Sequence, residues 1–197
     1  MRNPAAFLAL ALSVLILAPQ AAFAGGFDDE VLAEVNFARA HPADYANELI
    51  DGLRGRDDGS SLAYEDRDAV EEAIDFLRRQ PPLPALQPDG RLAAAARAHT
   101  SAQGPRGEIG HGAQGSLGQR LQRNGLWAGL AAEDISYGHD TARDVVRQLI
   151  IDSGVPNRGH RNNIFGRAYQ LAGVGCGAHS VYGSMCVIDF AGALAQR

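Results

Sequence analysis

Histidines, cysteines and carboxylates set on apolar faces are the residues of this 197-residue chain with a capacity for chemistry. Imidazole and carboxylate together form a nitrogen and oxygen donor set that suits zinc, or a base able to move a proton. Glu133 lies in Ala131-Ala132-Glu133-Asp134-Ile135, where strand alternation puts Ala131, Glu133 and Ile135 on one face and Ala132 and Asp134 on the other. A carboxylate sharing a face with apolar residues needs a partner. A histidine or a metal would serve, and desolvation is expected to raise its pKa toward that of a usable general base. Asp152 follows Val145 and Leu149 at helical spacing and so ends an apolar helix face. An anion there opposes the helix dipole at a cost of about 0.3–1 kcal/mol, so a compensating cation or hydrogen bond is expected. Ser153 near His160 suggests a nucleophile and base, yet no nucleophile elbow precedes it and no third group orients the pair. The histidines lack the i, i+4 spacing of a helical zinc motif, so any site that joins them is assembled from distant loops. His41, His99, His139 and His179 fall in a turn, an alanine-rich helix, a strand end and a hairpin turn, where structural or solvated roles are expected.

The elements that must position these groups begin with the two cysteines. Cys176 and Cys186 flank nine residues, and Leu171 to Gly177 and Met185 to Ala191 have the pattern of strands around a turn at His179 to Gly183. A disulfide is expected between them, with two free thiols as the alternative. Pairing 176 with 186 sets Val174 against Ile188 and Ala172 against Phe190. One sheet face is then continuously apolar, and the other carries Gly173, Gly175 and Gly177, which would let another element approach closely.

Upstream, Asp28 to Ile50 has helical periodicity with a break at His41-Pro42, and Glu65 to Gln80 recovers it after a Gly, Asp and Ser-rich loop. Asp89 opens an alanine-rich helix through Gln103, and His111 sits on the glycine-rich loop Gly104 to Gly115. Ser116 to Asn124 fits a short capped helix, Ala131 to Gly138 a strand, and Thr141 the cap of a helix running to about Asp152. Gly154 to Gly166 has no regular pattern and is expected to be irregular. Helices first, then mixed strand and helix, then a terminal hairpin predict an α+β fold.

Composition bounds the compartment and the partners. Arg2, the apolar run Ala5 to Ala18 and the small-residue site Ala22-Phe23-Ala24 predict a secretory leader over residues 1–24. The run is shorter than the roughly 20 residues a bilayer-spanning helix needs, so no stable membrane anchor is expected after cleavage, an uncleaved anchor being the alternative. Residues 25–197 are expected to form one domain, monomeric and secreted or periplasmic, with an insertion near 52–80. All 18 basic residues are arginine, and the net charge of −5 argues against nucleic-acid binding.

Four separated pieces carry a family resemblance: Asn36-x-x-Arg39; Leu83 to Gln103; Gly110-His111; and Glu133-Asp134-Ile135 followed by His160-Arg161-Asn162-Asn163-Ile164. With the terminal Asp189-Phe190-Ala191-Gly192 they resemble the CAP superfamily of cysteine-rich secretory proteins, antigen 5 and pathogenesis-related proteins, especially its bacterial single-domain members. The resemblance implies a three-layer α-β-α sandwich with two histidines and two acidic residues at the floor of a central cleft. His111, Glu133 and His160 match three of those positions. At the fourth, Ile150 and Ser153 stand where the family has tryptophan and glutamate or serine, so Asp152 is the expected substitute. Asp134 stands where the family commonly has asparagine.

The resemblance leaves the activity open, since one fold carries unrelated functions. The first expectation is a secreted binding module whose cleft holds zinc or another divalent metal through His111, His160, Glu133 and Asp152 and docks a small ligand or an extracellular partner. The second is a metal-dependent, peptidase-like hydrolase with Glu133 as base. The third is a structural or interaction protein of the cell envelope, in which the histidines only hydrogen-bond across the fold.

Overall fold

A computed structural model describes residues 26–55, 62, 65–112 and 114–193. The leader expected over residues 1–24 and part of the expected insertion lie outside the described residues. Most of the helices begin where the local sequence offers a cap or a charge. The first helix, α1 (Phe27–Ala40), carries Asp28, Asp29 and Glu30 in its first turn, where the exposed N–H groups favour anions. His41 separates it from α2 (Pro42–Leu53), whose proline sits where no amide donor is needed. Asp66 caps α3 (Arg67–Arg79) through the N–H of Asp68 at 2.9 Å. After the short strand β1 (Gln87–Pro88), Asp89 caps α4 (Gly90–Gln103) through the N–H groups of Arg91 and Leu92.

A single 3-10 turn, residues 104–106, ends that helix and leads into the loop of His111. Ser116 and Gln119 close a reciprocal capping box on α5 (Leu117–Arg123). Strand β2 (Ala131–Tyr137) follows, and Thr141 caps α6 (Ala142–Ile151). The stretch expected to be irregular holds a further helix, α7 (Gly159–Ile164), before the hairpin β3 (Leu171–His179) and β4 (Gly183–Ala191).

The sheet has the order β1-β3-β4-β2, with β1 parallel to β3 and the other pairs antiparallel. Cys176 and Cys186 are bonded, and Val174 faces Ile188 while Ala172 faces Phe190, the register the cysteines predict. On one sheet face these residues join α1, α2, α3, α6 and α7 in the main core. On the other face α4 lies directly over the glycine row. A Cβ on Gly173 would stand 2.1 Å from the Ala93 nitrogen, and one on Gly175 2.3 Å from the Arg97 nitrogen. Leu92, Ala95, Leu121 and Leu126 fill one end of that layer, and Ala96, Ile135, Met185 and Val187 the other. Helices on both faces of one sheet make the expected three-layer α+β sandwich, with β2 at an edge.

The Asn36-x-x-Arg39 motif fastens the layers. Asn36 exchanges two hydrogen bonds with the Leu86 backbone, and the buried Arg39 donates to Pro84 O, to Ile164 O at 2.6 Å and to Gly166 O at 3.2 Å. Ile164 is the last residue of α7 and Gly166 lies just beyond it, so α1 fixes the far end of the helix that carries His160.

Candidate functional site

The predicted site residues form two separate pairs. On the α4/α5 face of β2, His111 Nδ1 donates to Glu133 Oε1 at 2.8 Å. Glu133 is buried, its side chain 2 % exposed, whereas that of His111 is 57 % exposed. The second oxygen of Glu133 accepts a hydrogen bond from Arg120 Nη2 of α5, a guanidinium as buried as the carboxylate. Arg120 Nη1 also donates to His111 O and Gly115 O, each at 2.8 Å, so one side chain holds both the glutamate and the backbone of its histidine.

The His111 loop is pinned from behind at Gly110. Its N–H donates to Tyr137 Oη at 2.9 Å, and its carbonyl accepts from Gln103 Nε2 at 2.7 Å and faces His99 Nε2 at 3.2 Å. Burial holds the His99 imidazole below its usual pKa, which favours the neutral ring with Nε2 donating. His99 is thus a brace for the loop, as its place on the alanine-rich helix suggested.

The second pair belongs to α6 and α7, on the other face of the sheet. Asp152 ends α6 in the left-handed conformation, φ 59°, fully buried. Its Oδ2 accepts the His160 N–H at 3.0 Å and its Oδ1 accepts Nδ1–H at 2.7 Å. One aspartate therefore caps the first turn of α7 and orients the ring that turn presents. The hydrogen bonds expected to offset an anion at the end of α6 come from α7 itself. Ser153 is taken up elsewhere, its hydroxyl donating to Glu65 and accepting the Asp66 N–H.

Three buried carboxyls line β2 and its neighbour β4, and their environments pull them apart. Burial pushes the Glu133 carboxyl up, but the His111 hydrogen bond and the Arg120 charge and hydrogen bond outweigh it, leaving the pKa below the usual glutamate value. This corrects the expectation of a raised general base: two donors stabilise the ionised form more than desolvation penalises it. Asp189, directly opposite Glu133 in the ladder, is pushed well above the usual aspartate value by burial first and by the charge of Glu133 second. Asp134 is also held well above it, chiefly by burial, against a 2.7 Å hydrogen bond from Asn163 of α7. The charges of Asp152 and Glu133 both act on Asp134, which lies on the strand between the two pairs.

The four-ligand zinc set is not assembled as one cluster. Among the described residues no three His, Cys, Asp or Glu side chains are grouped so as to hold one metal ion. Both carboxylates are already engaged by their own histidines, and Glu133 also by Arg120. What remains for a ligand on each ring is Nε2, with Nδ1–H held by a carboxylate, the arrangement that orients a metal-binding or hydrogen-bonding imidazole.

Arg120 is the site residue the sequence reading missed. Its signal was its place between Leu117 and Leu121 on the buried face of α5, where an arginine needs a carboxylate. Arg161, beside His160, pairs with Glu72 of α3.

The model of the cysteine-rich secretory protein family, CAP, matches residues 71–190. The chain belongs to that family. The matched span opens inside α3, within the stretch expected to be an insertion, and covers the hairpin and both histidine pairs. Among solved structures, an extracellular protein containing an SCP domain, from Bacillus anthracis, is 23% identical, with 66% of this chain and 40% of that chain covered and a TM-score of 0.49. An outer surface protein from Borrelia burgdorferi is 16% identical over 75% of this chain and 94% of that one, with a TM-score of 0.47. A cysteine-rich secretory protein from Staphylococcus aureus is 14% identical over 66% and 40%, with a TM-score of 0.42. This CAP chain spans about 40% of the Bacillus and Staphylococcus proteins. No curated protein matches it. No helix among the described residues is long and apolar enough to cross a membrane.

Proposed function

We propose that this CAP protein is a secreted or periplasmic binding module that offers the Nε2 atoms of His111 and His160, one from each face of the sheet, to a divalent cation such as zinc or to a small polar ligand. The observation that carries the reading is the matched treatment of the two rings: each donates Nδ1–H to its own carboxylate, at 2.8 Å and 2.7 Å. A fixed tautomer leaves a lone pair on Nε2, the form a cation or a hydrogen-bond donor requires. Glu133 and Asp152 then orient the rings from behind and are not ligands. The disulfide supports export, because such bonds persist in oxidising compartments.

The hydrolase reading is weaker on this geometry. Its base would be Glu133, whose two oxygens are hydrogen-bonded and whose pKa is lowered, so it is poorly suited to take a proton.

Zinc titration by calorimetry tests the proposal. Saturable binding to the purified chain is expected, weakened in His111→Ala and in His160→Ala and lost in the double variant. Undiminished binding in the double variant, or none in the wild type together with no change in ring signals on ligand addition, overturns it in favour of a purely structural role for the histidines. Chelator-sensitive peptide cleavage abolished by Glu133→Gln would instead restore the hydrolase.

A further inference from the structure

One carboxylate outside the two pairs ties α3 to the segment that carries His160. Glu72 Oε2 accepts from Arg158 Nε at 2.8 Å, with Nη2 2.7 Å away, and its Oε1 accepts from Arg161 Nη1 at 3.0 Å. Each of these arginines is also committed to α6. Arg161, buried, donates Nε to Ile150 O at 2.5 Å and Nη2 to Ile151 O at 2.9 Å, closing the C-terminal carbonyls of that helix. Arg158 donates Nη1 to Asp152 O at 2.7 Å and to Val155 O at 3.3 Å.

The backbone shows why these contacts bear on His160. Among the described residues, two that are not glycine have positive φ, and they are Asp152 at 59° and Arg158 at 48°. They bracket the turn that brings α7 back onto the end of α6. A long side chain adopts the left-handed region reluctantly, and persists there only when its surroundings hold it. For Arg158 those surroundings are the Asp152 carbonyl on one side and Glu72 on the other. The conformation so held begins α7, and it delivers the N–H and Nδ1 of His160 to one carboxylate two residues later.

Simple docking of α3 does not require Glu72. Phe76 packs edge-on against Phe165 at 5.3 Å and beneath Arg161 at 5.5 Å, and Val70, Ala73, Ile74 and Leu77 are buried in the main core. The glutamate side chain is itself half exposed, so its ion pairs add little to global stability. Its geometry is directed at the two arginines around His160.

We propose that Glu72 is a positioning residue for the histidine site: by holding Arg158 in its left-handed conformation and Arg161 on the end of α6, it seats the His160 ring on Asp152 and aims Nε2. This rests on the reading of His160 as a ligand contact, and it gives α3 a role in the site as well as in the core.

The test is nitrogen-15 NMR of the His160 ring in the full chain, combined with zinc titration. The wild type should show a single Nδ1–H tautomer. Glu72→Gln should give a mixture of tautomers and weaken zinc binding about tenfold, the lower end of what loss of an orienting group behind a ligand does. Glu72→Asp should restore most of the ring signature. Glu71→Gln makes the same charge change at a surface pair with Arg67 and should leave the ring unaltered. An unchanged ring in Glu72→Gln, whatever happens to its melting temperature, overturns the proposal, as does an equal change in Glu71→Gln. If the wild type binds no zinc, the ligand reading fails, and the ring signature still decides the role of Glu72.

Discussion

Asp152 accepts two hydrogen bonds from His160, one from the backbone N–H and one from the ring, so a single carboxylate fixes both where α7 starts and which imidazole nitrogen carries the proton. Its removal should therefore be felt in two measurements at once. Asp152→Ala leaves the first turn of α7 uncapped and the ring unanchored, and is expected to cost about 1–3 kcal/mol in urea unfolding. The His160 ring should lose its single tautomer in the same variant. A chain that keeps both its stability and its ring signature would show that the contact orders nothing.

Arg120 and Glu133 are a buried pair, and truncating one partner should cost more than removing both. Arg120→Met strands an ionised carboxylate with only His111 as donor, for a loss of about 3–5 kcal/mol. Arg120→Met with Glu133→Gln removes the stranded charge and should recover part of that loss. With Glu133→Gln alone as the third variant, denaturant unfolding isolates the coupling between them. Equal losses in the single and double variants would mean that packing, not charge, explains the cost of losing the arginine from this layer.

The carboxyls of the sheet give stability opposite slopes with pH. Glu133 has a folded pKa below its unfolded value, so its contribution is present above the usual glutamate range and is lost as pH falls through the folded value. Asp189 is the reverse. Its folded pKa is raised, so between the usual aspartate value and that higher one the folded chain keeps a proton the unfolded chain has released, and stability falls as pH rises. Asp189 faces Glu133 on β2, whose charge raises it, and Arg120 of α5, whose charge lowers it. Asp189→Asn keeps a donor toward Glu133 without a titrating proton. It should match the wild type at acid pH and exceed it at neutral pH, with a flatter decline between. An unaltered pH profile in urea unfolding would place Asp189 outside this balance.

Much of the fold was legible because its signals are local. Asp66, Asp89, Ser116 and Thr141 each cap a helix from the adjoining residue, and the cysteine pair sets the hairpin register from side-chain type alone. Helix α7 was not legible, because its capping carboxylate arrives from Asp152, eight residues before His160, through a turn held by left-handed Arg158. The direction of the Glu133 shift was hidden for a similar reason: the guanidinium that decides it comes from Arg120, on another helix. Alternation along β2 placed Glu133 and Asp134 on opposite faces, and that separation also divides the two histidine pairs between the two helical layers. Family resemblance named the residues but not this division.

The glycine row offers a sharp test of how the sheet carries the site. Gly175 lies under α4, where a methyl group would stand 2.3 Å from the Arg97 nitrogen and 2.7 Å from the Ala96 carbonyl carbon, both backbone atoms that no rotamer change can move. Gly175→Ala must push α4 off the sheet, at an expected cost of about 1–3 kcal/mol or more. Because α4 also holds Gly110 through His99 and Gln103, the displacement should reach His111 and disturb its ring signals while leaving those of His160, on the other face, nearly unchanged. Gly90→Ala is the control. That position begins the same helix with open space around it and no positive φ, so the substitution should be neutral or stabilise by about 0.4–1 kcal/mol. If Gly175→Ala is as benign as Gly90→Ala, or moves both rings alike, the close approach of α4 is not what positions His111.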